Sequence, residues 1–248
     1  MRWDPWRATL HRGAWLHGTI YPQRCDLSPD GRWLVYFALK AGARWDVGQT
    51  WIAVSRLPWL TALAAWSTCG TWTRGLHFVS GRRQGDPGTP DHGDLQPLLR
   101  RYGLAATRPG SFAVERRNGW SESADTPARM PSDAWDEQRA EHVVMEKPRP
   151  DSADVVLRVA GRHAAFRTGG PAWDPARYTM AAGGDPVALG DVQWADWDRR
   201  GRLLVATIDG RLEVRERAWQ AADAVWSSDV TNERPDPTPP PPEARRWT

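Results

Sequence analysis

The sequence predicts an all-β fold, and two observations carry that prediction. The 248 residues include 17 Trp but only 4 Phe and 4 Tyr, and Trp favours half-buried pleated surfaces on which its N–H finds a partner. Ser-Pro-Asp-Gly and Asp-Gly turns also separate short apolar runs, as they do in antiparallel hairpins. With 40% hydrophobic and 25% charged residues, a chain of this length is able to bury one substantial core.

The first predicted element is the run 25–37, which reads CDLSPDGRWLVYF. Its Pro fixes one backbone dihedral, and its Asp and Gly tolerate left-handed conformations, so the turn leads directly into a strand. The run 197–206, WDRRGRLLVA, repeats the pattern with its apolar residues in register. We therefore expect equivalent turns at Gly31 and Gly201, each followed by a strand that is buried on both faces.

The second copy continues into residues 207–215, where Asp-Gly joins two strands as a tight hairpin. Over 26–37 and 194–215 the chain resembles the blades of bacterial β-propeller repeat proteins, which carry a Ser-Pro-Asp-Gly motif and are WD-like. The resemblance implies a β-propeller-like domain over 1–233, with about five small blades and long loops. An irregular β-sandwich is the alternative. Residues 24–66 are also similar to an uncharacterised bacterial family of hypothetical proteins, which implies no function.

Further strands are predicted between the two copies. Residues 112–117 and 120–122 flank Asn-Gly, a strong hairpin signal, and are interpreted as two paired strands. The remaining predictions are strands at 142–146 and 154–159, either a strand or a short helix at 60–66, a Gly- and Pro-rich loop at 80–94, and a polar loop at 123–139.

A Pro-rich tail occupies residues 234–248. Its run 235–242, PDPTPPPP, favours an extended polyproline conformation and cannot enter a sheet interior. Trp247 supplies an aromatic anchor beside Arg245 and Arg246, two cations suited to a carboxylate-rimmed groove. These three are the candidate binding residues. The tail is either a strap on its own domain or a ligand for another protein.

Catalytic motifs are missing from the sequence: it has no nucleophile elbow, phosphate loop, dinucleotide fingerprint or metalloprotease helix. We therefore assign no catalytic residue, metal ligand or cofactor, and expect a non-catalytic scaffold or protein-interaction module whose partner is another protein. The alternative is a carbohydrate-active enzyme or lectin with central carboxylates at Asp26, Asp196 and Glu213 and Trp residues as sugar platforms. Whether the protein is an enzyme stays open at this point.

Composition narrows the partner classes. The chain has 33 Lys and Arg against 30 Asp and Glu, and these charges are interleaved, whereas nucleic-acid-binding proteins show a clustered basic footprint. Nucleic acid is therefore not the expected partner. The first residues carry charges where a signal peptide needs an apolar run, and no apolar stretch is long enough to span a membrane. Two Cys provide no disulfide framework, so we expect a cytoplasmic protein without a membrane partner.

Overall fold

A computed structural model gives the fold, and it describes residues 1–42, 48–79, 87–107, 112–127, 141–163, 176–216, 224–235 and 237–247. Within these ranges the chain is mostly antiparallel β-sheet, which confirms the predicted all-β class. The strands are β1 (Arg2–Asp4), β2 (Thr9–His11), β3 (Thr19–Ile20), β4 (Asp26–Leu27), β5 (Trp33–Leu39), β6 (Thr50–Arg56), β7 (Ala62–Ser67), β8 (Leu76–Val79), β9 (His92–Gly93), β10 (Gly103–Ala106), β11 (Ser121–Glu122), β12 (Glu141–Arg149), β13 (Ser152–His163), β14 (Arg177–Ala182), β15 (Val187–Ala188), β16 (Val192–Trp197), β17 (Leu203–Thr207), β18 (Arg211–Arg215) and β19 (Ala224–Asp229). The α-helices are α1 (Gln96–Leu99) and α2 (Ala113–Arg117), and 3-10 helices occupy Pro22–Arg24, Gly70–Trp72 and Pro242–Arg245.

The strands pair into sheets that follow one another along the chain. An N-terminal hairpin pairs β1 with β2, and the first sheet has the order β3-β5-β6-β7-β9, with β4 also paired to β5. A small sheet joins β8 and β10, the middle sheet runs in order from β11 to β15, and the last sheet runs in order from β16 to β19. The middle and last sheets are thus antiparallel meanders of five and four strands. None of these sheets closes on itself in the described ranges, and their arrangement as a propeller stays a proposal.

The first sheet is buried on both faces. Val35 and Phe37 belong to a core shared with the small sheet, whereas Tyr36 and Ala38, which alternate with them along β5, belong to a cluster on the opposite face. Leu34 is half-buried against that second cluster. Burial on both faces explains why these strands are nearly continuous apolar runs instead of alternating apolar and polar residues.

The middle and last sheets share a separate core. Met145, Leu157 and Met180 contribute to it from the middle sheet, and Leu203 and Val205 contribute from the last sheet. All five are at most 2% exposed. The chain therefore buries its apolar surface between pairs of sheets.

The two predicted turns are equivalent in the structure. Gly31 has φ +65° and Gly201 has φ +74°, and each donates its N–H to the carbonyl three residues earlier, Ser28 at 2.8 Å and Asp198 at 3.0 Å. The Asp-Gly hairpin is also confirmed, because β17 and β18 pair across Gly210 at φ +85°.

The predicted strand at 112–117 is wrong, because Ala113–Arg117 forms the helix α2. Asn-Gly ends this helix and does not turn a hairpin. Gly119 has φ +89° and donates to the carbonyl of Arg116, while Trp120 donates to the carbonyl of Glu115, both at 3.0 Å. This is the Schellman arrangement of a helix C-terminus, and it uses the same left-handed glycine that a hairpin turn would need.

The other predicted elements have mixed outcomes. The strands at 142–146 and 154–159 lie within β12 and β13, and the ambiguous segment 60–66 contributes to strand β7. The predicted loop at 80–94 contains β9, and its residues 80–86, like residues 128–139 of the second predicted loop, lie outside the described residues.

The N-terminal hairpin packs on the last sheet, and the C-terminal tail packs on the first sheet. Trp3 of the N-terminal hairpin stacks on Trp226 of the last sheet with ring centroids 5.7 Å apart and an interplanar angle of 20°. Arg12 forms a two-bond contact with Glu233, with both distances at 3.0 Å. The Pro-rich tail contacts the first sheet through Arg56 and Trp33.

Candidate functional site

Two predicted carboxylates, Asp26 and Asp196, occupy matching places beside the two equivalent turns. In each case one carboxylate oxygen accepts the backbone N–H of the following residue, Leu27 at 2.7 Å and Trp197 at 2.7 Å. These N–H groups alternate with those that pair to the neighbouring strand, so they face the free edge of the sheet. Each aspartate therefore covers an edge donor that the sheet itself leaves unpaired, and each is met there by a cation.

The cation at Asp26 is Arg117, the last residue of α2. Its two terminal nitrogens lie 2.6 Å from the two carboxylate oxygens, and the Asp26 side chain is 2% exposed. The Phe78 N–H donates to the same carboxylate at 2.7 Å, and Arg117 donates to the Phe78 carbonyl at 2.8 Å. This bidentate pair joins β4, β8 and α2, and it leaves Asp26 with no oxygen free for acid or base chemistry.

The cation at Asp196 is Lys147 of β12, whose Nζ lies 2.5 Å from Oδ1. Burial raises the pKa of Asp196, and the charge and hydrogen bond of Lys147 oppose that rise without cancelling it. The Trp197 indole N–H donates to the Lys147 carbonyl at 3.2 Å. The pair therefore joins the last sheet to the middle sheet.

Glu213, the third predicted carboxylate, pairs with Arg215 on its own strand at 2.7 Å, and the two side chains are 8% and 2% exposed. Glu213 lies opposite Val205, whereas Asp196 lies opposite Leu204. Directly opposed residues share a face, and adjacent residues alternate. The side chains of Glu213 and Asp196 therefore project from opposite faces of the last sheet, and the structure does not bring the predicted carboxylates together.

His77 of β8 lies beside the Asp26–Arg117 pair. Burial lowers the pKa of His77, the charge of Asp26 raises it, and the charge of Arg117 lowers it again, with Glu115 as a further acidic neighbour. Its Nδ1 lies 3.4 Å from the Thr107 hydroxyl. The lowered pKa favours a neutral imidazole at this junction.

Cys25 is not a nucleophile in this structure. Its thiol donates to the Tyr21 carbonyl at 3.1 Å, and burial raises the pKa of Cys25 to about 12. A reactive cysteine needs a thiolate, which a thiol of such high pKa does not supply at neutral pH.

The Pro-rich tail packs on its own domain. The Trp247 ring lies 5.2 Å from the Trp33 ring at an interplanar angle of 48°, and Ala244 is fully buried. Arg56 of β6 donates to the Glu243 carbonyl at 3.0 Å. Of the two alternatives for the tail, these contacts favour the strap.

The docked tail leaves its two predicted binding cations exposed. Arg245 ends the 3-10 helix and Arg246 follows it, and both side chains face solvent. Neither side chain forms a hydrogen bond or an ion pair with the part of the chain that the structure describes. Trp247 thus anchors the strap, while the two arginines beside it remain available.

Sequence reasoning missed the cations that neutralise the carboxylates. The role of Arg117 was missed because the sequence pattern of 112–117 predicts a strand, whereas Arg117 reaches Asp26 from the end of a helix. The position of Lys147 could have predicted an ion pair. Lys147 follows Met145 by two positions in one strand, so both side chains lie on the same, buried face. A lysine on a buried face needs a carboxylate partner.

The described part of the chain has no group of three or more His, Cys, Asp or Glu side chains arranged to hold a metal ion. Nor does any helix there combine the length and apolar character that crossing a membrane requires. Comparisons of the chain with protein-family models, with curated proteins and with solved structures find no match. The functional conclusion therefore depends on the geometry of the chain itself.

Proposed function

We propose that the chain is a non-catalytic, propeller-like protein-interaction module. One observation carries the proposal: the docked tail presents the side chains of Arg245 and Arg246 to solvent, and these have no partner among the described residues. The three predicted carboxylates, in contrast, each pair with a cation of the same chain. Exposed guanidinium groups with no internal role are suited to carboxylates on another protein. The blade-like meanders support a rigid platform for such contacts.

The glycosidase alternative lacks support from the geometry. It requires a carboxylic acid and a carboxylate that flank one bond roughly 5 to 10 Å apart. Asp26, Asp196 and Glu213 are each held by a cation, and two of them project from opposite faces of one sheet. We also propose a cytoplasmic location, because Cys25 and Cys69 are both free thiols and a reducing compartment preserves such thiols.

The proposal is tested by affinity purification of the full chain from its native cells, with the Arg245→Ala/Arg246→Ala variant in parallel. The wild type should retain a stoichiometric protein partner at moderate salt, and the variant should lose it. The control is Arg177→Ala/Arg199→Ala, since both side chains are exposed and have no partner in the described residues. The absence of any stoichiometric partner of the wild type would contradict the proposal, as would hydrolysis of chromogenic glycosides that depends on Asp26.

A further inference from the structure

Several exposed arginines lie next in sequence to residues that pack around the docked tail and the first core. Arg100 and Arg101 follow α1, and their side chains, like those of Arg245 and Arg246, are exposed and form no hydrogen bond or ion pair with any described residue. Arg32 is also exposed, and its only ion pair with a described residue is a 3.7 Å contact to Asp30. We call these five residues the arginine surface.

Backbone and side-chain contacts connect the tail to Arg32 and Arg32 to the end of α1. On the tail side, Arg56 donates to the Glu243 carbonyl and pairs across the strands with Trp33. The next residue, Leu57, donates its N–H to the Arg32 carbonyl at 2.8 Å. Arg32 therefore lies beside the point at which the tail docks.

The α1 side is reached through Asp30 and Tyr102. The Tyr102 hydroxyl hydrogen-bonds to Asp30. Burial and Asp30 raise the pKa of Tyr102, and the charges of Arg101 and Arg32 oppose that rise. Tyr102 and Trp247 also pack against the same core. These contacts connect Arg32 both to the strand end on which the tail docks and to Tyr102, the residue next to Arg101.

Two aromatic rings next in sequence to these arginines are already occupied. Trp247 packs on Trp33, and Tyr102 meets Phe78 edge-on at 5.7 Å. Proteins that bind single-stranded nucleic acid combine cations with open aromatic faces on which bases stack. Trp247 and Tyr102 each have an aromatic neighbour already, whereas the planar guanidinium group binds carboxylates through two parallel hydrogen bonds.

We propose that the arginine surface docks an acidic segment of a partner protein, one rich in Asp and Glu. This inference rests on the proposed function and specifies where and by what chemistry the partner binds. The Pro-rich tail is then part of the binding face, because Trp247, which follows Arg245 and Arg246, packs on Trp33, which follows Arg32.

The test measures binding of a fluorescein-labelled oligo-glutamate peptide to the full chain by fluorescence anisotropy. We expect salt-sensitive binding, because exposed charge pairs are screened by added ions. Arg100→Ala/Arg101→Ala and Arg245→Ala/Arg246→Ala should each weaken it about three- to tenfold. The matched control, Arg177→Ala/Arg199→Ala, should stay within about twofold of the wild type. Unchanged circular dichroism of each variant establishes that these surface substitutions leave the fold intact.

Three results would overturn the inference: no peptide binding by the wild type, equal weakening by the control variant, or tighter binding of an oligothymidylate of equal charge. These results are distinguishable from failure of the proposed function. If affinity purification still recovers a stoichiometric partner while the peptide does not bind, the interaction module stands and the arginine surface is rejected. If no partner is recovered at all, the proposed function fails first.

Discussion

Trp247, next to the end of the Pro-rich tail, packs on Trp33, the first residue of strand β5, with ring centroids 5.2 Å apart. Trp33 is 1% exposed, so the indole of Trp247 helps to seal the edge of the first core. A polyproline run has no core of its own, and this aromatic contact is what gives the tail a fixed place.

Trp247→Ala should lower the free energy of unfolding by about 1.5 to 3 kcal/mol, since it removes apolar burial and an aromatic pair. Urea denaturation measures the change. Trp15→Ala is the control, because Trp15 is 51% exposed and its removal should cost no more than about 0.5 kcal/mol. Deletion of residues 235–248 should cost at least as much as Trp247→Ala. Equal stability of the Trp247 and Trp15 variants would rule out the strap.

Gly31→Ala and Gly201→Ala should each cost about 1 to 2 kcal/mol, because both positions have positive φ. A Cβ at Gly31 meets nothing within 4 Å, whereas one at Gly201 lies 2.7 Å from Asp151 Oδ1. We therefore expect a larger loss at Gly201, and Asp151→Ala should reduce the difference in a double-mutant cycle measured by chemical denaturation, although Arg149 Cγ remains 3.2 Å from the new Cβ. A costless substitution at either glycine would contradict the equivalence of the two turns.

Asp26→Asn should destabilise the protein more than Asp196→Asn. Asp26 accepts two guanidinium and two backbone hydrogen bonds, so its loss leaves Arg117 largely buried and uncompensated, at a cost of about 3 to 5 kcal/mol. Asp196→Asn also leaves a cation uncompensated, since Lys147 is 12% exposed. Asp196 accepts fewer hydrogen bonds than Asp26, however, and burial already raises its pKa, so we expect a smaller cost of about 1 to 3 kcal/mol. Thermal and urea unfolding of both variants decide the order, and the reverse order would refute the assigned roles.

The stability of the protein should fall on acidification through the pKa of His77. Because burial lowers that pKa below 6.5, the unfolded state binds more protons than the folded state in the window below 6.5. The stability contribution of neutral His77 is therefore complete above 6.5 and is lost as the pH falls through the lowered value. His77→Gln should flatten this part of the profile, as measured by urea denaturation on either side of pH 6.5. An unchanged slope in the variant would exclude His77 as the titrating group.

The turns and their strands were predictable because their signals are local. The positive φ angles of Gly31, Gly201 and Gly210 are required by turns only a few residues long, and the apolar runs that follow these turns predict strands. The helix α2 was missed for a physical reason: Asn118-Gly119 supplies a left-handed residue, and both a hairpin and a helix C-terminus use one.

The partners of the charged residues were not predictable, because they depend on which sheets meet. Asp26 and Asp196 are equivalent in sequence, yet one finds an arginine at the end of a helix and the other a lysine in a strand. No local pattern specifies such distant pairs. The arginine surface was missed for the same reason, since its members are spread from Arg32 to Arg246 and only tertiary contacts relate them.

The contact between Arg12 and Glu233 spans 221 positions of sequence, and the neighbouring Trp3 stacks on Trp226. During synthesis at about 5 to 20 residues per second, the N-terminal hairpin leaves the ribosome roughly 10 to 40 seconds before its binding partners exist. Throughout that interval the indole of Trp3 has no native surface to cover it. Translation speed and chaperone access in this interval therefore bear on the yield of native protein, although neither affects the finished structure.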